Sequence, residues 1–443
     1  MYVFFNKILT HLFLIVYNPV VLKLFYFNKT KKLSELKDTQ LKNLKQTLIF
    51  SYENVPFYKS WFDRNEFNPY EFNKLSDLEQ LPILNKNIIK ENMEEFETRN
   101  NKSNGCKLVA TGGSTGAPFK YFTSKASRNL SFALLLKGWA LGGYRIGDSV
   151  VVLAGGSLVP KKDSKISIIK NRLLNFHKFS TYGVDMDDLY DYYIKINKLR
   201  PKFIRGYASS MYLFAEYLQK NNLKLNRNVV AVFTTAEMLP QNQRQVIEAV
   251  FNSRVYDGYG LNDGGLTAFE CEYHDGYHID TERGYLEVVD EDGKLVSGRE
   301  GMILATTLME KCMPLIRYDT GDLGVLADLA CSCSNQKPIL KELKGRVTDS
   351  LKINNRVIAS PVLTVLMGKT DAVNYQIEQV SADKIIFHLV YTDKEKIKGD
   401  IATISNSLRS KLGEISIEID ICDSIYVEPG KKHKFIINNS DVY

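Results

Sequence analysis

The sequence predicts an α/β protein in two unequal parts. A large N-terminal unit, residues 1–345, begins with a mainly helical region over 1–100 and continues into mixed sheets; a small α+β unit fills 346–443. Three observations carry this. The first hundred residues set apolar side chains at helical spacing among charges. From Lys107 onward, short apolar runs alternate with helical patterns, the rhythm of an α/β core. After Gly276 the runs become hairpin-like, and after Asp349 a shorter stretch carries strands of its own.

The elements follow in order. "ILTHLFLIVYNPVVLKLFYF", Ile8 to Phe27, has the length of a membrane span, but His11, Asn18, Pro19 and Lys23 interrupt it. Asn18-Pro19 predicts a break. Lys29, Lys31 and Lys32 follow, so two readings stand side by side: an interfacial anchor on an anionic membrane, or a pair of core helices. No secretory cleavage pattern follows the stretch. "LSELKDTQLKNLKQTLIFSYENV" predicts a helix, and "LPILNKNIIKENMEEF" a turn at Pro82 with another helix after it. "VVVL" (Val150 to Leu153), "FIRGY" (Phe203 to Tyr207) and "VVAVFTTAEML" predict strands, "QNQRQVIEAVF" a helix, and "RVYDGYG" the start of a further strand. "GYLEVVDEDGKLVSGREGMILATTL" predicts a hairpin turning at Asp292-Gly293. "KIIFHLVYT" and "ISIEIDI" are the strands of the small unit.

The chain has 443 residues, 44% hydrophobic and 25% charged, with a formal net charge of +7. The basic residues are scattered. This mild electropositivity suits an anionic substrate or membrane surface; no motif or concentrated basic face points to nucleic acid. Six cysteines in this length make no disulfide framework. Cys106, Cys271, Cys312 and Cys422 read as isolated, Cys331 and Cys333 as neighbours. A reducing, cytoplasmic setting is the expectation, with peripheral contact at the inner face of the membrane through the N-terminus.

Four stretches carry chemistry. In "TGGSTG", Gly112, Gly113 and Gly116 let backbone N–H groups turn inward, and Ser114 and Thr115 add hydroxyls, a nest for phosphate oxygens. It lacks the Lys-Ser/Thr ending of a P-loop, and "ATGGST" supplies no nucleophile elbow for a serine hydrolase. "YDGYGLNDGG" sets Tyr259 between Gly258 and Gly260, where a ring can stack on a flat base, with Asp263 able to hold a cation. "RYDTGDLG" offers Asp322 to sugar hydroxyls. "KGRVTDSLK" offers Arg346 and Lys352 at the start of the small unit. Taken singly, each also reads as an ordinary turn or solvated strand.

In this order the four resemble the core motifs of the adenylate-forming enzymes, in the form of the phenylacetate–CoA ligase-like branch and closest to its capsule-biosynthesis adenylyltransferase members. "ENVPFYKSWF" and "LPILNKNIIKEN" are similar to that branch's start, so the resemblance spans most of the chain. It implies that the large unit is an adenylate-forming domain. The loop Thr111–Gly116 would hold ATP phosphates and Tyr259 would pack on adenine. Asp322 and Arg346 would bind the ribose, and Ala236 and Glu237 of "TTAEML" would line the site. Asp263 would bind Mg²⁺; the family more often has a hydroxyl residue and Glu where this chain has Asn262 and Asp263. A family lysine after a C-terminal glycine matches Lys431, or Lys432 with a shift of one, in "EPGKKHKFIIN". The implied reaction activates a carboxylic acid as its adenylate and passes the acyl group to a thiol, CoA by default, or to an amine, as in capsule or surface polysaccharide synthesis. The small unit would rotate between the halves about a hinge near Arg346–Asp349. The alternative is a membrane-associated scaffold that keeps the fold without catalysis.

Cysteines and histidines suggest a second metal. Cys271 and His278 of "ECEYHDGYHID", with Cys331 and Cys333 of "LACSCSNQ", can form a structural Zn²⁺ site of three sulfurs and one imidazole, with His274 as substitute; related branch members look similar there. Reduced surface thiols are the plain reading. The acid itself is not legible. Its pocket is expected in "LLLKGWALGGYRIGD" and "FSTYGVDMDDL".

Overall fold

The computed structural model describes residues 2–26, 32–98, 105–110, 119–154, 159, 164–181, 186–346, 351–353, 356–358, 363, 366–367, 370–391, 393–412, 415–426 and 434–438. Five helices open the chain: α1 (Tyr2–Tyr17), α2 (Pro19–Tyr26), α3 (Leu33–Asn54), α4 (Pro56–Arg64) and α5 (Lys86–Glu91). Proline begins α2 and α4, where its missing N–H costs nothing. At Asn18-Pro19 the axis bends by 115°. No helix among the described residues is long and apolar enough to cross a membrane; the bent pair meets the length and composition only together. Leu14 and Val21 are fully buried, while Leu12, Ile15 and Val16 face outward. The pair thus has one core face and one exposed apolar face. α4 buries Phe57, Tyr58, Trp61 and Phe62. Tyr58 donates to the Pro314 carbonyl (2.9 Å) and accepts from the Ile316 N–H (3.1 Å), which binds the helical region to the main sheet.

The α/β part runs β1 (Lys107–Ala110), β2 (Lys120–Thr123), α6 (Lys125–Leu141), β3 (Val150–Ala154), α7 (Lys165–Leu173), β4 (Phe176–Ser180), α8 (Met186–Leu199), β5 (Phe203–Tyr207), α9 (Ala208–Lys220), β6 (Ala231–Thr235), α10 (Gln241–Phe251) and β7 (Val255–Leu261). Then come β8 (Leu266–Glu270), β9 (Tyr277–Ile279), β10 (Gly284–Val289), β11 (Glu300–Thr307), β12 (Tyr318–Leu326) and β13 (Ile339–Arg346). Eleven strands form one sheet in the order β10-β11-β12-β13-β9-β8-β7-β6-β5-β3-β4. The strands β3 to β7 pair in parallel and the rest antiparallel. Helices cover both faces of the parallel half, which is why β3 is buried along its whole length and reads as an unbroken apolar run. Strand β3 has β4 on one side and β5 on the other, so the order reverses there. Crevices at the carboxyl ends of strands beside such a reversal are where open α/β sheets bind ligands.

The last part comprises β14 (Leu351–Ile353), β15 (Arg356–Ile358), β16 (Asn374–Gln379), β17 (Lys384–Val390), α11 (Ile397–Leu412), β18 (Ser416–Ile421) and β19 (Ile436–Asn438). Four of its strands form a sheet ordered β18-β17-β16-β19. Along β16 and β17 burial alternates residue by residue, so one face meets a core that includes Ile377, Phe387, Ile404 and Leu408.

One expectation fails. Cys106 and Cys312, read as isolated thiols in a reducing setting, are joined as a disulfide across 206 residues. Chain separation hides such a pair from sequence reading; it becomes visible only when the loop before β1 lies against the loop after β11.

Candidate active site

The β1–β2 hairpin carries the glycine-rich loop. Ala110 pairs with Lys120, so the loop springs from a fixed stem. Three contacts hold that stem. The Glu310 carboxylate accepts from the Thr123 hydroxyl (3.0 Å) and the Ser124 N–H (2.8 Å). Arg128 donates to the carbonyls of Thr123 and Gly105. The Cys106–Cys312 bond closes the base. Thr111, Gly112, Gly113, Ser114, Thr115 and Gly116 themselves lie outside the described residues, as do Lys431, Lys432 and residues 347–349 of the expected hinge.

Opposite this stem, β7 and β12 bring the other motif residues together. The Tyr259 hydroxyl donates to Asp322 Oδ2 at 2.8 Å, joining the adenine and ribose motifs directly. Burial, then the Asp322 carboxylate, pushes the Tyr259 phenol well above its ordinary range, so it stays protonated and donating. Beside it, a methyl group built on Gly260 would meet nothing within 4 Å among the described residues. Asp322 pairs with Arg346 in the β12–β13 register, so the two expected ribose residues stand opposite each other on adjacent strands. The Asp263 carboxylate is buried and accepts from the Tyr318 hydroxyl at 2.9 Å. At the end of β6, Ala236 takes a left-handed conformation (φ 70°), uncommon for a residue with a Cβ. That sharp turn sets Glu237 where its carboxylate accepts from the Ser209 N–H at 2.9 Å.

Sequence reading missed two groups here. Tyr318 lies inside the quoted "RYDTGD" stretch, yet its bond to Asp263 depends on how β7 and β12 are placed. Arg283 carries no motif at all. It is buried, donates through Nη2 to the Asn262 carbonyl at 3.2 Å, and has no partner for Nε or Nη1 among the described residues. Burial lowers its pKa, against the pull of Tyr121, Glu310 and Asp263 nearby. A buried carboxylate beside an under-used guanidinium suits a cation and a phosphate oxygen arriving together.

Below the nucleotide motifs, Thr234, Tyr277 and Arg244 tie up two buried carboxyls. Asp257 accepts from the Thr234 hydroxyl (2.6 Å) and the Tyr277 hydroxyl (2.8 Å). Arg244 Nη2 reaches both oxygens of Glu270 at 2.8 and 3.0 Å. A cavity opens beside this network, lined by Leu135, Gly138 and Trp139 of α6 together with residues of β5, β6, β7 and β8. The described part of "FSTYGVDMDDL" does not line it.

At the far end of β8, Cys271, His278, Cys331 and Cys333 place one ligand atom each within 4.8 Å of one another. Cys271 Sγ lies 3.6 Å from Cys331 Sγ, and Cys333 Sγ 3.3 Å from His278 Nε2. A tetrahedral zinc with Zn–S bonds of ~2.3 Å sets its sulfurs about 3.8 Å apart, close to these edges. The N–H groups of Cys333 and Asn335 point at the sulfurs of Cys331 and Cys333, as suits thiolates. His274 is elsewhere: its Nδ1 faces Glu270 at 3.3 Å.

No protein-family profile matches the chain. Among curated proteins it is 27% identical over 424 residues to the protein CapK of Staphylococcus aureus, covering 94% of this chain and 92% of that one. It is 25% identical over 377 residues to a phenylacetate–coenzyme A ligase of Thermus thermophilus, covering 77% and 78%. The chain is a relative of the phenylacetate–CoA ligases. Its fold matches 2-hydroxyisobutyryl-CoA ligase in a postadenylation state in complex with an acyl-AMP, with TM-score 0.74, 18% identity, and 94% and 92% coverage. The same ligase in its thioesterification state matches with TM-score 0.60. The adenylate-forming fold therefore extends over nearly the whole chain.

Proposed function

We propose that this protein is an AMP-forming acid ligase. It joins a carboxylic acid to AMP and then passes the acyl group to a thiol, CoA, or to an amine. The observation that carries the reading is the meeting of Tyr259, Asp322 and Asp263 where β7 and β12 come together. A carboxylate is a poor electrophile because its leaving group would be oxide. When its oxygen attacks the α-phosphorus of ATP, pyrophosphate departs and the acid becomes a mixed anhydride. Attack by the thiol or amine on the acyl carbon then releases AMP and a proton. Tyr259 offers a face to adenine, Asp322 and Arg346 hold the ribose, Ala236 and Glu237 border the site, and the N–H groups of Thr111–Gly116 take phosphate oxygens. Lys431 or Lys432 would bring a cation to the α-phosphate from residues 346–443, which rotate as a mobile unit about 346–349. The 2-hydroxyisobutyryl-CoA ligase matches better in one of its states than in another, which supports such a rotation. Asp263 would hold Mg²⁺, whose charge offsets that on the phosphate oxygens.

The test is release of pyrophosphate by the purified protein with ATP, Mg²⁺ and a panel of acids, followed by mass spectrometry of the products with CoA and amino sugars offered together. Acid-dependent pyrophosphate is the expected result, and an amide product would favour a role in capsule or surface polysaccharide synthesis. Nucleotide binding without turnover on any acid would instead favour the scaffold.

Two accessory roles belong to this reading. Cys271, His278, Cys331 and Cys333 hold a structural Zn²⁺ that fastens β8 and β9 to the loop before β13; elemental analysis should find one zinc per chain, lost in Cys331→Ser. Peripheral seating on an anionic membrane, at the cytoplasmic face, is supported by the outward Leu12, Ile15 and Val16 of α1, next to the exposed Ile166 and Ile169 of α7. Thr10 donates to the Leu173 carbonyl at 2.7 Å, which keeps the two helices side by side. Lys165, Lys170 and Arg172 of α7 supply positive charge there.

A further inference from the structure

The β1–β2 hairpin stands apart from the main sheet. It is a two-stranded sheet of its own, with four residue pairs, and a hairpin of that size is marginally stable by itself. Its two strands are held unequally. On the β2 side, Phe119 and Tyr121 are buried in the large apolar cluster, and Phe119 stacks on Tyr318 with ring centroids 6.0 Å apart. Strand β1 exposes Lys107, Leu108 and Ala110, and only Val109 is half-buried against the same cluster. What ties β1 to the rest of the protein is concentrated just before it. Arg128 donates to the Gly105 carbonyl at 3.1 Å, and Cys106 is bonded to Cys312.

Both ends of the stem are fastened to one short segment. The Glu310 carboxylate accepts from the Thr123 hydroxyl and the Ser124 N–H at the end of β2, and from the Cys312 N–H at 2.8 Å. Two residues on, Cys312 holds Cys106, whose neighbour Lys107 pairs with Thr123. The segment is itself fixed. Thr98 donates through its N–H to the Cys312 carbonyl (3.3 Å) and through its hydroxyl to the Lys311 carbonyl (3.0 Å). The grip on β2 is made of hydrogen bonds and apolar burial, which redox chemistry leaves alone. The grip on β1 rests mainly on a bond that thiols can open. Burial gives that opening a direction: Cys312 is fully buried and Cys106 half-buried, so an incoming thiolate meets the Cys106 sulfur. On the ligase reading the protein works beside ATP, among low-molecular-weight thiols, and a disulfide in that setting is usually transient or redox-sensing.

We propose that Cys106–Cys312 is a redox modification site, opened at Cys106 by a low-molecular-weight thiol, and that opening it releases β1 from the segment 310–312 and switches the hairpin from a held to a loose state. The step balances. A thiolate attacks Cys106 Sγ, the Cys106–Cys312 bond breaks, and Cys312 leaves as a thiolate that takes a proton. A second thiol attacks the outer sulfur of the mixed disulfide, and Cys106 leaves and is protonated in turn. The bond gains two electrons, and the two small thiols depart joined as their own disulfide. The exchange itself is independent of the ligase reading. Its effect on acid activation rests on that reading, because the loosened hairpin is the one that bears the glycine-rich loop.

The experiment treats the folded protein with millimolar glutathione and compares it with untreated protein and with the double variant Cys106→Ser, Cys312→Ser. Peptide mapping, hydrogen exchange over β1 and β11, and acid-dependent pyrophosphate release are the readouts. Untreated protein should yield a linked Cys106–Cys312 peptide, and after unfolding only four of its six cysteines should react with an alkylating agent. Glutathione should open the bond, with the passing adduct on Cys106. Exchange in β1 should then quicken at least about tenfold while β11 stays unchanged, and pyrophosphate release should fall at least about tenfold as the hairpin loses its position. Glutathione disulfide should restore all three. The double variant should match reduced protein and ignore both reagents, which separates this pair from the cysteines near β8. The wild-type arms decide the matter even where the double variant does not fold. No linked peptide, a bond that resists glutathione in the folded protein, an adduct on Cys312, or a bond that opens without quickening β1 overturns the proposal and leaves the ligase reading intact. Pyrophosphate release that stays level while β1 loosens overturns the switch. If β1 responds as expected but no acid yields pyrophosphate in either state, the redox site stands and the ligase reading falls.

Discussion

At the scale of single residues, burial decides which charges are costly. Glu287 and Arg317 are both sealed in the large sheet, with Arg317 Nε 3.2 Å from Glu287 Oε1. The arginine spends its other nitrogens on the carbonyls of Leu81 and Gly293, each at 2.6 Å. Burial, only partly opposed by Arg317, pushes the Glu287 carboxyl up to about 7. A carboxyl whose pKa rises on folding binds its proton more tightly in the native state. The stability this confers is complete below the unfolded value near 4.5 and is lost as pH rises through about 7. The loss amounts to about 3 kcal/mol at most. Thermal melts from pH 5 to 8 should therefore fall more steeply for wild type than for Glu287→Gln; parallel curves would refute the account. Legibility also divides at this scale. Tyr259, Asp322 and Asp263 could be named in advance because glycines and short motifs surround them. Arg283 could not: "TERGY" says nothing about how the neighbouring strands will meet its guanidinium.

At the scale of elements, α6 shows how a single missing side chain shapes a cavity. Gly138 sits against β8, and a Cβ built there would come within 2.4 Å of the Phe269 ring. Phe269 is itself 3.0 Å from the place a Cβ would occupy on Gly258 in the adenine motif. The ring is thus wedged between a helix glycine and a strand glycine, and both it and Gly138 line the cavity. Gly138→Ala should push the ring into the cavity or lift the helix, at about 1–3 kcal/mol of stability. Unfolding by urea measures that cost, and acid-dependent pyrophosphate release should drop far more than nucleotide binding; an equal loss of both would argue against a local effect. Periodicity revealed the helices and strands themselves. "QNQRQVIEAVF" is α10 residue for residue, and the break at Asn18-Pro19 is where proline chemistry requires it. The Cys106–Cys312 bond stayed hidden because neither cysteine belongs to a pattern of spacing; only the approach of two loops makes the pair.

At the scale of the whole molecule, the exposed apolar side of α1 and α7 is the feature that a freely dissolved enzyme leaves unexplained. Val16 is 87% exposed and Ile166 78%, values at which an isolated aliphatic side chain would be unremarkable but a neighbouring set points to a partner. The purified protein should sediment with vesicles containing phosphatidylserine and not with neutral ones, release at high salt, and lose binding in Val16→Asp with Ile166→Asp. Unchanged sedimentation of the double variant would remove the membrane from the picture. The helices that carry this surface also pack into the core. Leu14 and Val21 share one apolar cluster with Trp139 and Phe233, which line the cavity under α6. Asn18 Nδ2 also donates to the Asn129 carbonyl on α6 at 2.8 Å. Whatever presses on the outer helices is thereby passed to α6 and the core beneath it, so trimming the first 26 residues to gain solubility would strip the scaffolding from behind the sheet it was meant to spare.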